Sequence, residues 1–433
     1  MVRGHFRQRA MNSGSSRGTP APLGAGTAAA VARVGAAGSL ESRGTGFTGR
    51  LKPICCSGRS APLFDGRNPL RPKCSRIEIH ILPARGGKAE GVTKTATRRT
   101  LLLLLLVSAL IQSAWAAKPG LKCRPDGTFK VVMFSDLHHG ATVDPRTLAA
   151  MGKILDKERP DMVVIGGDCI AGGSCDTVQD VNNAIHAVGE PMEQRKIAWA
   201  IVFGNHDQEH FPKTKLGKEE VIGIYASYPC NLNVRGTNQI HGVGNDDLLV
   251  EDSAGTRLVF CLWLLDSGEY AAGAVDGYEW IHTDQVDWYY RTSKALEARY
   301  GRKIPGIMFF HIPLREFAEM ALSKKFEGER NEPECPSQID GGLFAAVLDR
   351  GDVKGIFCGH DHTNDYVGEW FGVRLGYDYS AGYAAYGLPA SNPGSVRGRG
   401  GRVFLIKESD PWNFTTWMRF EDGSTDQASP APE

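Results

Sequence analysis

Phe129-Lys130-Val131-Val132-Met133-Phe134-Ser135-Asp136-Leu137-His138 is an apolar run, broken only by Lys130, that stops on Ser, Asp and His. A short apolar run of this length, closed by polar residues, predicts a buried strand over 129–134. Thr147–Lys157 then repeats apolar residues at helical spacing and ends before Pro160. Met162–Ile165 predicts a second buried strand, closed by Gly166-Gly167-Asp168. Val178–Met192 reads as a helix, and Ile197–Phe203 as a third strand running into Gly204-Asn205-His206-Asp207. This alternation of helices with strands apolar on both faces predicts an α/β fold. Further strands are expected at Leu258–Leu264, Ile307–Phe310, Lys354–Cys358 and Val403–Ile406, with a helix over Thr283–Arg299 capped by Thr283.

Five polar clusters each follow one of these apolar runs: Asp136/His138, Asp168, Asn205/His206, His311 and His360/His362. Open α/β sheets place ligands beyond the carboxyl ends of their strands, so the clusters are expected to converge. Each has an ordinary explanation when taken alone. Asp-x-His is a common surface turn, Gly-Gly-Asp a tight turn, Asn205 a cap, and His311 a satisfied core histidine. Gly359-His360-Asp361-His362, with two imidazoles two residues apart, is the hardest to explain that way. Together the set is carboxylate, imidazole and amide oxygen, donors suited to Mn, Fe or Zn. One shared carboxylate can hold two such ions roughly 3.5–4 Å apart, as in two-metal hydrolases.

In their order these blocks resemble the calcineurin-like metallophosphoesterase superfamily, whose signature runs Asp-x-His, Gly-Asp, Gly-Asn-His-Asp/Glu, His, Gly-His-x-His. Gly204-Asn205-His206-Asp207 and the Gly-His-Asp-His-Thr-Asn-Asp run at 359–365 resemble the small plant and fungal purple acid phosphatase-like subgroup. The resemblance covers roughly residues 125–425 and implies an α/β four-layer αββα sandwich: two mixed sheets packed face to face, flanked by helices. It implies one metal ion on Asp136, His138, Asp168 and His362, and a second on Asp168, Asn205, His311 and His360. It further implies that His206 faces the phosphoryl group and protonates the leaving oxygen, with Asp207 orienting His206. The ions would lower the pKa of a bridging water and neutralise phosphate oxygens lying across them. Direct attack by metal-bound hydroxide on a phosphomonoester follows, with no covalent phosphoenzyme. His139, His186, His210, His241 and His282 are assigned to structure or surface, with His139 and His241 the two of most interest among them, and Ser267 beside Asp266 makes no convincing triad.

Two departures from the purple pattern matter. The tyrosine expected three residues after Asp168 is Ala171, so the tyrosinate-to-iron colour should be missing and Mn, Zn or Fe(II) preferred. A preparation purple as isolated would refute that. His138 stands where purple enzymes usually carry another residue type and supplies the ligand the missing tyrosine would have given. The stretch Tyr379–Gly387 resembles a glycine-rich loop near the site, with Ala384 and Ala385 as variant positions. Two rival functions stay open: a phosphodiesterase or pyrophosphatase on nucleotides or lipid head groups, and a non-catalytic binder of phosphorylated ligands.

Charge divides the chain. Residues 1–100 hold 18 Lys/Arg and 4 Asp/Glu, a net of +14, while the other 333 residues net −13. An acidic catalytic part lacks the basic footprint of a nucleic-acid binder, so nucleic acid is not an expected partner; the family resemblance implies phosphate-ester small molecules or phosphoproteins instead. Residues 1–97 are rich in Gly, Ser, Pro and Ala and read as a disordered basic leader. Residues 98–116 combine Arg98-Arg99, the apolar run Leu101–Ile111 and an Ala-x-Ala site, the pattern of a signal peptide cleaved after Ala116. That run is too short for a stable membrane span. The catalytic domain is then 117–433, and the expected destination is secreted, secretory or vacuolar. The Arg/Ser-rich start raises an organelle transit peptide as the alternative. The segment sits deep in the chain, and no methionine between Met11 and Met133 offers a simple internal start. Asn413-Phe414-Thr415 is a glycosylation sequon. Seven cysteines follow residue 116, an odd number compatible with one or two disulfides of unreadable pairing.

Overall fold

The computed structural model describes residues 119–234, 239–387 and 398–426. The expected leader (1–97) and apolar segment (98–116) lie outside the described residues. In chain order come β1 (Leu121–Lys122), β2 (Thr128–Phe134), α1 (Pro145–Glu158), β3 (Met162–Gly166), α2 (Val178–Arg195) and β4 (Ala198–Val202). Next are α3 (Phe211–Thr214), α4 (Lys218–Tyr225), β5 (Asp246–Glu251), β6 (Leu258–Leu264) and α5 (Thr283–Tyr300). The last group is β7 (Gly306–Phe309), α6 (Arg315–Leu322), β8 (Phe326–Glu327), α7 (Leu343–Arg350), β9 (Val353–Cys358), β10 (Val367–Trp370), β11 (Val373–Tyr377), β12 (Gly400–Lys407) and β13 (Thr415–Phe420).

These strands form two mixed sheets, one ordered β1-β5-β6-β7-β9-β11-β10-β8 and one ordered β13-β12-β2-β3-β4. The parallel β2-β3-β4 set lies in the second sheet, and the parallel β6-β7-β9-β11 set in the first. Period-two alternation along β2 explains the layering. Val131 and Met133 enter a core with Val164, Phe309, Phe357 and Phe404, where the two sheets face each other. Val132 and Phe134 turn the other way, into a core with Ile154, Leu155, Ile185 and Val188 of α1 and α2. A third core joins Trp263, Met308 and Ile356 to Tyr289 of α5, Phe317 of α6 and Val347 of α7. The layers are therefore α, β, β, α. Burying each such ring or branched chain stabilises the stack by about 1.5–3 kcal/mol.

Local signals set the helix starts. Asp144 accepts from the Arg146 N–H ahead of Pro145 at the first turn of α1, and Thr177 and Asp180 form a reciprocal capping box on α2. Thr283, expected to cap α5, is instead its first helical residue; His282 occupies the cap, and the Gln285 side chain accepts its N–H at 2.8 Å. All seven cysteines after residue 116 are free, and five are buried. Cys169 and Cys358 donate to the carbonyls of Val202 and Gly376 and fill space in the layers as small hydrophobes. The one or two disulfides that the cysteine count allows are not formed in this structure. No described helix is long and apolar enough to cross a membrane.

Candidate metal centre

The loops leaving β2, β3 and β4 carry Asp136, His138, Asp168 and Asn205, and those leaving β7 and β9 carry His311, His360 and His362. The centre therefore straddles the line where the two sheets meet. Sharp turns are needed to bring the side chains inward so soon after each strand. Asp136, His138, Asp168 and His360 all adopt left-handed backbone, with φ of 54°, 48°, 46° and 77°, a strained state that clusters at functional sites. Gly167 has φ of 94°, and a Cβ there would lie 2.5 Å from His311 Nδ1. A Cβ on Gly204 would lie 2.3 Å from Asp168 Oδ1. Both glycines are required by close approach.

Two overlapping groups result: Asp136, His138, Asp168 and His362, and then Asp168, His311 and His360. In each, one ligand atom per residue lies within 4.8 Å of all the others, and every member is buried. Asp168 belongs to both; its Oδ2 lies 3.5 Å from His138 Nε2 and 3.1 Å from His311 Nε2. Asp136 Oδ1 lies 3.2 Å from His362 Nε2.

The remaining polar atoms of these side chains are tied down by protein. His311 Nδ1–H donates to Gly166 O (2.9 Å), and His362 Nδ1–H to Tyr386 O (3.2 Å). Asp136 Oδ2 accepts from Ser135 Oγ (2.6 Å) and His360 N (3.1 Å), and Asp168 Oδ1 accepts from His206 N (2.8 Å). Asn205 Nδ2 donates to the Tyr270 hydroxyl (3.1 Å). Left over are Asp136 Oδ1, His138 Nε2, Asn205 Oδ1 and His311 Nε2, all buried and without a hydrogen-bond partner. Four buried polar atoms without hydrogen bonds in one place are costly unless another partner, such as a cation, meets them, although Asp136 Oδ1 faces His362 and His311 Nε2 faces Asp168. Burial pushes His138 down to about 4 and His360 to about 3, so both rings are neutral donors. Burial also works against the charged forms of Asp136 and Asp168, but each faces an imidazole that offsets it: His362 and His311 hold both carboxyls well below the ordinary range, and the carboxylates in turn push both imidazoles up. The donor set fits a pair of divalent cations.

His206 and Asp207 depart from expectation. The His206 ring stands 5.1 Å from the His138 ring and lines the cleft, yet its Nδ1–H donates to Glu209 Oε1 at 2.8 Å, not to Asp207. Asp207 is buried, and its carboxylate accepts the backbone N–H groups of Gly204 (2.7 Å) and Ile170 (2.9 Å). It pins two site loops together and does not orient His206. Burial, with Asp168 nearby, pushes its carboxyl up to about 7. Glu209 also accepts from the Tyr270 hydroxyl (3.2 Å), which closes a chain from Asn205 through Tyr270 and Glu209 to His206.

Residues the motif reading missed are Glu209, Tyr270 and Tyr278, while Tyr386 lay within the Tyr379–Gly387 stretch expected near the site without being singled out. Glu209 sits three positions after His206, a spacing that was readable. Tyr278 lies edge-on to His360 with ring centroids 4.4 Å apart, and Tyr386 stacks on His362 at 3.9 Å. Ser380, Ala381 and Gly382 bond to the 135–136 and 362 backbone, so the Tyr379–Gly387 loop is a wall of the site. Ala384 and Ala385 line a cleft of about 300 Å³ over the centre, with Tyr278, Cys335 and Tyr386. The other histidines stay outside it: His241 stacks on His282 (3.9 Å) and bonds Asp284, and His139 is buried with neither ring nitrogen partnered.

A four-layer α/β sandwich with overlapping Asp/His donor groups at the strand ends defines the class as a scaffold with a candidate two-metal centre. The chain belongs to the calcineurin-like phosphoesterase family, whose model matches residues 129–364. Among curated proteins it is 31% identical over 369 residues to "Probable inactive purple acid phosphatase 14" of Arabidopsis thaliana, covering 75% of this chain and 88% of that one. It is 32% identical to "Probable inactive purple acid phosphatase 29" of the same plant, covering 71% and 86%. Similarity to "Phosphatase DCR2" of Saccharomyces cerevisiae is 31% over 56% of this chain and 45% of that one. A dimetal phosphatase structure from Danio rerio aligns at 14% identity with a TM-score of 0.43, over 70% of this chain and 99% of that one.

Proposed function

We propose that this chain is a two-metal phosphomonoesterase. The observation that carries the reading is the set of four unpartnered buried ligand atoms, with Asp168 common to both donor groups. Asp136, His138, Asp168 and His362 would hold one ion, and Asp168, Asn205, His311 and His360 the other. Bound ions of this kind supply Lewis acidity and a water of lowered pKa. The protein's own part is positional. Ser135 and the His360 N–H fix Asp136, Gly166 fixes the His311 tautomer, and Tyr270 aims the Asn205 oxygen. With Nδ1 held by Glu209, Nε2 of His206 is the nitrogen free to give a proton to the leaving oxygen.

A second reading, a non-catalytic phospho-ligand binder, draws support from the word "inactive" in the names of two relatives. The retained donor set and the His206–Glu209 pair favour catalysis. The test is steady-state hydrolysis of 4-nitrophenyl phosphate and its bis-ester by wild type and His206→Ala. The monoester should be preferred, and the variant should lose about 10²-fold or more in kcat. Preference for the bis-ester would support a phosphodiesterase, and indistinguishable wild type and variant would support the binder.

A further inference from the structure

Two tyrosines, Tyr278 and Tyr386, flank the imidazole floor of the cleft. Tyr386 lies flat on His362 with an interplanar angle of 17°, yet is 55% exposed, so only one ring face is used. Its hydroxyl donates to Glu332 Oε2 at 2.8 Å, which holds the ring in place. Tyr278 stands against His360 and stacks with Tyr270 at 5.7 Å, a second aromatic wall fixed by a backbone bridge between the two tyrosines. Among the described residues, no Lys or Arg lines the cleft. Arg399, close in space, is engaged by the carbonyls of Ala385 (2.9 Å) and Tyr386 (3.4 Å) and by the Tyr383 ring. The carboxylates there are Asp168 and Asp361 in the lining, Glu209 on His206 and Glu332 on Tyr386.

We infer that the site selects phosphate monoesters of a planar, uncharged aryl leaving group, seated against Tyr386 and Tyr278, and disfavours leaving groups with a second negative charge. The inference rests on the two-metal phosphomonoesterase reading. An aryl ring adds offset or edge contacts with the tyrosines that an alkyl group of one carbon cannot make. A second anionic group would come near the carboxylates of Glu209 and Glu332, and no guanidinium or ammonium among the described lining residues pairs with it. Nucleoside di- and triphosphates and phosphorylated polyols are therefore poor fits.

Binding tests this without the differing reactivity of the esters. Calorimetry on the full chain loaded with Mn²⁺ would compare inorganic phosphate, methylphosphonate, phenylphosphonate and 4-carboxyphenylphosphonate. Phenylphosphonate should bind about 3- to 10-fold tighter than methylphosphonate, the range of an aromatic stack. The ratio should fall towards one in Tyr386→Ala and persist in Tyr386→Phe. Should Tyr386→Ala also lose phosphate, Tyr386→Leu keeps bulk over His362, and its ratio should fall in the same way. Equal binding of the two phosphonates by wild type, a ratio unmoved by loss of the ring, or 4-carboxyphenylphosphonate binding as tightly as phenylphosphonate would overturn the inference. If these ratios hold while no monoester is turned over, the hydrolase reading fails and the selectivity stands.

Discussion

His206, Asp207 and Glu209 sit within four positions of one another and divide two tasks. Glu209 holds the His206 ring, whereas Asp207 holds backbone. Glu209→Gln should therefore lower kcat about 10-fold with little change in KM and no change in Tm, because the amide weakens support for a protonated ring. Asp207→Ala should lower Tm instead, since the Gly204 and Ile170 N–H groups would be buried without an acceptor, at about 1–3 kcal/mol each. Thermal melts beside steady-state kinetics separate the two variants, and the opposite pattern would make Asp207 the residue that orients His206. The side chains that converge were legible because each follows its strand within a few residues. Their side-chain and loop partners were not, because Tyr270 and Tyr386 arrive from loops 65 and 24 positions from the ligands they contact.

Strands with apolar residues on both faces were legible nearly to the residue, as β6 and β3 illustrate. Strands outside that pattern were not. β5 opens with Asp246-Asp247, β10 is Val-Gly-Glu-Trp, and β13 alternates with Thr and Arg, so none gives a continuous apolar run. The charged start of β5 also makes stability depend on pH. Burial, reinforced by Asp246, pushes the Asp247 carboxyl up to about 6 from an ordinary 3.8. The folded state then resists ionisation that the unfolded chain accepts, so stability is fullest below about pH 4 and falls as pH rises to about 6. Asp247→Asn should raise Tm by a few degrees at pH 7.5 and by less at pH 4.5; an equal shift at both would contradict the assignment. The strand-to-loop junctions carry a different prediction. Gly204→Ala drives a Cβ onto Asp168, so it should abolish metal retention and turnover together, read by metal content and 4-nitrophenyl phosphate hydrolysis.

Across the whole molecule, each sheet contributes part of the donor set, so the centre exists only when both sheets pack. The layer order came from the family resemblance, since strand periodicity speaks of two buried faces but not of which sheet a strand joins. The inter-sheet core of Phe309, Phe357 and Phe404 is what holds the His311 and His360 loops against the Asp136 and Asp168 loops. Mass action then links metal to stability: ions that bind the folded centre should raise Tm and chelation should lower it. The most direct test is element-resolved metal content of the purified chain, wild type beside Asp168→Asn. Wild type should carry about two ions per chain, and the variant should lose both. One ion or none in the active wild type, or full retention in Asp168→Asn, would contradict it.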